Sequence, residues 1–182
     1  MGVFILPFSE SPVNHLRTPL RLNVGFIIKE SIGYSRVFPI DFANIHLEPD
    51  LDLERLTGTV EITRTPQGLL VQTHLTIVLA SECVRCLTPL ILQLHTQFTE
   101  LYAISQRHAT ESGLILPEDG HIDLEPIARE CIILEIPINP ICKPDCRGLC
   151  PVCGENRNEI DCGHRNEEID SRFSSLKNLL NK

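Results

Sequence analysis

Five cysteines and one histidine fall within residues 142–164: Cys142, Cys146, Cys150, Cys153, Cys162 and His164. Two more cysteines, Cys83 and Cys86, lie far upstream. Cysteines two residues apart suit a tetrahedral metal, because one tight turn aims both sulfurs at the same point. The run Cys150-Pro151-Val152-Cys153-Gly154 refines that reading. Pro151 pre-sets the turn, and Gly154 can take a positive φ that lets backbone N–H groups approach the sulfurs. Such donors stabilise thiolate charge. Whatever else this chain folds into, it must bring these side chains together.

Eight cysteines in all could instead make four disulfides, which requires an oxidising compartment. The N-terminal stretch has no basic region and only a short apolar run, so no export signal is expected. Leu6 stands where a myristoylation motif needs Ser or Thr. No apolar run is long enough for a membrane-spanning helix. The expected setting is therefore the cytoplasm (or an organelle stroma), with reduced or metal-bound thiols.

The 182 residues suffice for one core and a small appendage. With no Trp and 5% aromatic residues, that core must be built from Ile, Leu and Val. The net charge of −8 is uneven. Residues 81–136 hold three basic and nine acidic side chains, whereas residues 137–182 hold seven of each. Counting finds no basic patch of the kind a nucleic-acid binder normally carries. Arg85, Arg147, Arg157 and Arg165 flank the cysteines and either meet phosphate or balance thiolate charge.

The apolar pattern organises the chain. Residues 1–18 read as an irregular arm, 19–140 as an α+β core and 141–182 as a cysteine-rich module. Alternation predicts strands over Leu20–Ile28, Tyr34–Ile40, Leu56–Thr65, Leu69–Ala80 and Leu90–Tyr102. Residues 41–55 read as a loop or helical turn, and Thr65-Pro66-Gln67-Gly68 as a turn. Cys83 and Cys86 then sit at a hairpin tip. A polar loop follows over 105–120. Asp123 reads as the N-cap of a helix over 124–136, with a stripe of Leu124, Ile127, Ala128, Cys131 and Leu134. A last helix is expected over Ser171–Leu180. The antiparallel sheet is expected to curl toward a barrel. Cys131 reads as a small buried hydrophobe, and the remaining histidines, His74 and His95 among them, as surface residues.

Catalytic signatures are missing. No His-x-Glu precedes a Pro-Cys-x-x-Cys, as a zinc deaminase requires. There is no His-Glu-x-x-His, phosphate-binding loop or Gly-x-Ser-x-Gly. A thioredoxin-like pair belongs at the start of a helix, whereas strands flank Cys83 and Cys86. The eight candidate donors allow two partitions. In one, Cys150, Cys153, Cys162 and His164 form a compact finger, and Cys83, Cys86, Cys142 and Cys146 tie the hairpin tip to the chain leaving the helix. In the other, Cys83, Cys86, Cys150 and Cys153 form a single ribbon and the rest are free.

Four stretches resemble the YceD family, also called large ribosomal RNA subunit accumulation proteins. They are Leu-Glu-Arg-Leu-Thr-Gly at 53–58, Cys-Val-Arg-Cys-Leu at 83–87, Asp-Cys-Arg-Gly-Leu-Cys-Pro-Val-Cys-Gly-Glu-Asn at 145–156 and Ser-Arg-Phe-Ser-Ser-Leu-Lys at 171–177. The resemblance spans about residues 20–180. It implies a non-enzymatic role in accumulating large-subunit ribosomal RNA, in bacteria and plastids. Relatives that lack the Cys-Pro-x-Cys-Gly part yet keep the upstream pair imply a separable second site. His164 stands where Cys is common and Arg157 where Leu is common, and Cys131 is extra.

The expectation is thus an α+β protein with structural Zn²⁺, two ions in the first partition. Zinc ligation would contribute roughly 10–16 kcal/mol to folding of a small module. The expected partners are large-subunit ribosomal RNA, reached through Arg147, Arg157 and Arg165, or a basic ribosomal protein. Neither a membrane nor a small-molecule substrate is expected. The alternative is a thiol-based redox or metal-responsive protein.

Overall fold

The computed structural model describes residues 19–164. The expected N-terminal arm, the last helix and Arg165 lie outside them. Of the described residues, 19–79 with 93–136 form one compact unit, and 80–92 with 137–164 form another. The second unit thus includes the hairpin tip that the sequence reading assigned to the core.

In the first unit the chain enters through β1 (Arg21–Asn23), which pairs antiparallel with β6 (His121–Asp123). The main sheet has the order β2-β3-β4-β5, formed by Ser35–Leu47, Leu51–Arg64, Gly68–Glu82 and Pro89–Ala103. One helix, α1, spans Glu125–Glu135. β2 and β5 stay at opposite edges of the meander, so the sheet does not close into a barrel.

β4 shows why alternation reads well there. Leu69, Val71, Leu75 and Ile77 are buried, while Leu70, Gln72, His74, Thr76 and Val78 are not. Thr65 closes the preceding turn, its N–H donating to the Gly68 carbonyl at 2.8 Å and its Oγ1 accepting the Gly68 N–H at 3.1 Å. Each fully buried Leu, Ile or Val adds roughly 1.5–3 kcal/mol.

Residues 41–55 are not a loop. They complete β2, the turn after it and the start of β3. Asn44 has φ 51°, in the left-handed region. The buried face changes parity there, from Ile40 to Ile45 and Leu47 on β2, and from Leu51 and Leu53 to Leu56 and Val60 on β3. A pattern that changes phase within each strand fails a test for strict alternation.

The strand expected over Leu20–Ile28 is also shorter than its apolar pattern. Only Arg21–Asn23 is paired. Asn23 Oδ1 then takes the Gly25 N–H at 3.1 Å and turns the chain, and Ile27–Lys29 follows as a 3-10 turn. Leu20, Val24 and Ile27 are buried, whereas Phe26 is exposed.

The helix buries Ala128 and Ile132, one turn apart, with Leu124 before them. Leu134, expected on the stripe, is 84% exposed. Asp123 is not the N-cap: Leu124 holds that position, and Asp123 Oδ1 accepts the Glu125 N–H at 3.0 Å from one residue further back. Glu125 Oε1 accepts the Glu48 N–H at 3.0 Å, and Arg129 pairs with Asp50. Both contacts fasten α1 to the β2–β3 turn.

Gly58, in the Leu-Thr-Gly run, lies opposite Leu75 and has φ 154°. A Cβ there would stand 2.0 Å from the His74 carbonyl oxygen, a backbone atom that cannot swing aside. Gly33 has φ 91° but open space around its Cβ position. Gly58→Ala is expected to destabilise the fold by roughly 2–4 kcal/mol, and Gly33→Ala by about 1 kcal/mol, from φ alone. Thermal unfolding of the two variants checks this; equal losses would show that the close approach at Gly58 carries no cost.

Candidate metal centre

Two loops repeat one backbone scheme. At the β4–β5 tip the Cys83 N–H donates to the Thr88 carbonyl at 3.0 Å, and the Leu87 N–H donates to the Cys83 carbonyl at 2.8 Å. In the second loop the Cys150 N–H donates to the Glu155 carbonyl at 2.8 Å, and the Gly154 N–H to the Cys150 carbonyl at 2.9 Å. In each loop the residue after the second cysteine is left-handed: Leu87 at φ 57° and Gly154 at φ 77°. Glycine adopts that conformation freely, while leucine does so at a cost of about 1–2 kcal/mol. Leu87 is 57% exposed.

The spacing of the eight donors allows two partitions. The structure gathers Cys83, Cys86, Cys142 and Cys146 into one quartet and Cys150, Cys153, Cys162 and His164 into another. Within each quartet the ligand atoms all lie within 4.8 Å of one another. In the first, Cys83 Sγ is 3.8 Å from Cys146 Sγ, and Cys86 Sγ is 3.6 Å from Cys142 Sγ. Four sulfurs held about 2.3 Å from one tetrahedral ion would stand roughly 3.8 Å apart. A disulfide would need about 2.05 Å. In the second quartet Cys150 Sγ is 3.8 Å from His164 Nδ1.

The electrostatics fit a cation. Burial raises the Cys83 thiol, but N–H groups of Cys142, Arg85 and Cys86 outweigh it and bring the pKa down to about 6. Burial likewise opposes ionisation of Cys146, yet the Asn158 amide and the Gly148 N–H pull it below its ordinary value. Cys142 moves the other way, to about 12, through burial and its neighbours Cys86, Cys146 and Cys83. Cys150 falls to about 6 under the N–H groups of Cys153 and Val152. Cys153 rises: the Glu155 N–H works against the rise, and burial and the other sulfurs overcome it. Clustered sulfurs cannot all carry negative charge unless a positive ion lies among them. Both quartets can hold a metal ion.

Three side chains that support the first quartet were not singled out from the sequence. Asn158 Nδ2 donates to Cys146 Sγ at 3.3 Å. Thr88 Oγ1 lies 3.2 Å from Cys86 Sγ, and Asn156 Nδ2 reaches that hydroxyl at 3.5 Å. Their only signal is that amides and a hydroxyl fall between or beside the ligands. Arg85, exposed overall, donates through Nη1 to the Cys146 carbonyl at 3.1 Å. Arg147 and Arg157 are exposed, and among the described residues neither enters an ion pair. Cys131, half-buried on α1, belongs to neither quartet. His74 and His95 are exposed and line an open cleft of about 710 Å³ with Glu135.

The family model described as large ribosomal RNA subunit accumulation protein YceD matches residues 71–180, which include all eight candidate donors. A Mycobacterium tuberculosis protein described as uncharacterized is 34% identical over 137 residues, covering 72% of this chain and 61% of that protein. The chain therefore spans about three fifths of that relative. An uncharacterized Mycobacterium leprae protein is 30% identical over 176 residues, covering 93% of this chain and 78% of its own length. A protein of Arabidopsis thaliana named large ribosomal RNA subunit accumulation protein YCED homolog 1, chloroplastic, is 40% identical over 63 residues, 35% of this chain and 20% of its own. No solved structure matches.

Leu87→Gly removes the left-handed strain and returns part of the gain as chain entropy. It is expected to stabilise the protein by about 0.5–1 kcal/mol. Gly154→Leu, the reverse change, is expected to cost about 1–2 kcal/mol. Thermal unfolding at fixed metal concentration checks both. A clear loss in Leu87→Gly would mean that the leucine side chain holds a contact worth more than its strain.

Proposed function

The chain belongs to the YceD family, and on that premise we propose that it is a non-enzymatic factor supporting accumulation of large-subunit ribosomal RNA. The observation that carries the reading is the pair of four-donor quartets within the segment matched by the family model. We assign a structural Zn²⁺ to each. One donor set is four thiols, and the other is three thiols with an imidazole, both combinations that zinc favours. Four protein donors leave no open position for water or substrate. That supports a metal that holds shape rather than one that performs chemistry. Reduced thiols would place the protein in the cytoplasm.

The partner is large-subunit ribosomal RNA, a basic ribosomal protein, or both. At a net charge of −8, little affinity comes from nonspecific phosphate contact, where counterion release supplies the driving force. RNA contact would fall to the less acidic C-terminal segment, through Arg147, Arg157 and Arg165.

Native mass spectrometry is expected to find two Zn²⁺ per chain, and the thiols of the quartets should become titratable only after chelation. Reversible disulfide formation at a defined potential, without metal, would overturn the zinc reading in favour of a thiol-based redox protein.

The isolated protein is expected to bind arbitrary RNA weakly, with a shallow salt dependence. Depleting it in cells is expected to lower large-subunit relative to small-subunit ribosomal RNA. Tight binding to arbitrary RNA with a steep salt slope, unchanged when the three arginines are neutralised, would defeat the charge argument. Unaltered ribosomal RNA on depletion would defeat the functional one.

A further inference from the structure

The stretch between Cys153 and Cys162, two ligands of the second quartet, reaches back to the first. Asn158 sits in it. Its Nδ2 donates to Cys146 Sγ at 3.3 Å, and its Oδ1 accepts the Arg147 N–H at 2.9 Å. Asn156 Oδ1 fixes that amide by accepting the Asn158 N–H at 3.1 Å and Nδ2 at 2.8 Å. Asn156 Nδ2 also reaches the Thr88 hydroxyl, which lies against Cys86 Sγ. A loop enclosed by the second quartet thus contacts one sulfur of the first directly, through Asn158, and a second only by way of Thr88.

Within the loop, the Asn156 carbonyl accepts the Glu159 and Ile160 N–H groups at 3.0 Å, and Asn156 Nδ2 donates to Glu159 Oε1 at 2.8 Å, but no apolar side chain of it is buried. Residues 151–155, 157, 159–161, 163 and 164 are exposed. Backbone bonds hold its near end, through the Leu149–Asn156 bridge and the Arg157 N–H to the Gly148 carbonyl at 3.0 Å. Its far end is fixed where Cys162 and His164 meet Cys150 and Cys153.

We infer that Asn158 is a positioning residue that couples the two quartets, so that metal in the second raises the affinity of the first. This rests on the metal-centre reading above. When the second quartet is empty, the loop opens, the amide no longer holds the Cys146 sulfur, and the first quartet loses an orienting hydrogen bond. Removing such a partner typically costs roughly 10–100-fold in metal affinity. Linkage makes the effect reciprocal: metal in the first quartet raises the affinity of the second by the same factor.

The test uses the full chain titrated with Co²⁺, whose absorption differs between four-sulfur and three-sulfur-one-nitrogen tetrahedra, and then with Zn²⁺ against a chelator. Coupling makes the titration of the unaltered protein positively cooperative, steeper than the sum of two independent sites. His164→Ala is expected to weaken the first quartet roughly 10–100-fold, although no ligand there is touched. Asn158→Ala is expected to do the same, and His164→Ala should cost the first quartet nothing further in the Asn158→Ala background. First-quartet affinity unchanged in His164→Ala, or full additivity of the two substitutions, would overturn the inference. Should the unaltered chain bind no metal, the metal-centre reading itself fails, an outcome distinct from two independent sites. The cooperativity of that titration needs no variant to fold.

Discussion

The convergence of buried sulfurs is the interaction on which the second unit depends. Its apolar cluster consists of Cys83, Cys86 and Cys146, with Leu90 and Leu149 packed against them. Residues 137–164 contain no helix or strand, only turns and bends and the single Leu149–Asn156 bridge. Five small or medium side chains cannot offset the entropy of ordering such a stretch, which costs about 1–2 kcal/mol per residue for the backbone alone. An ion held by four thiolates would supply cohesion on the required scale. The cysteines therefore stand where a larger domain would have its leucines.

Once that constraint is set, the loops around it follow. Sulfurs two residues apart can meet one point only if the chain reverses between them, and both loops do so with the same pair of backbone bonds. The reversal directs N–H groups at Cys83 and at Cys150. The same geometry forces the next residue to be left-handed. One loop meets that demand with Gly154 and the other with Leu87, so identical architecture carries different local strain.

How legible this was depends on the range of each signal. Ligand chemistry is local, so the cysteine spacing pointed to the side chains that converge. β4 and the Thr65–Gly68 turn were legible because one uninterrupted face of β4 is buried. The stretch over 41–55 does not read as strand because Asn44 turns the face three residues before the end of β2 and breaks the alternation of one long strand. Leu20–Ile28 failed in the opposite sense: its alternation continues through a turn set by Asn23 and Gly25. Barrel closure was illegible, since alternation gives the faces of strands and not which edges meet. Asn158 has no periodicity or motif to expose it; its role arises only when chain segments are brought together.

The first quartet also sets a timetable. Cys86 and Cys142 are 56 residues apart in the chain, and Cys83 and Cys146 are 63 apart. The second quartet is closed within residues 150–164. At synthesis rates of about 5–20 residues per second, half of the first quartet emerges several seconds before the other half exists. During that interval Cys83 and Cys86 are a bare dithiol, open to a passing oxidant or a softer metal. The compact quartet, made last, is complete almost as soon as it is made. A centre split across the chain thus makes the quality of the finished protein depend on what the nascent chain meets while it waits.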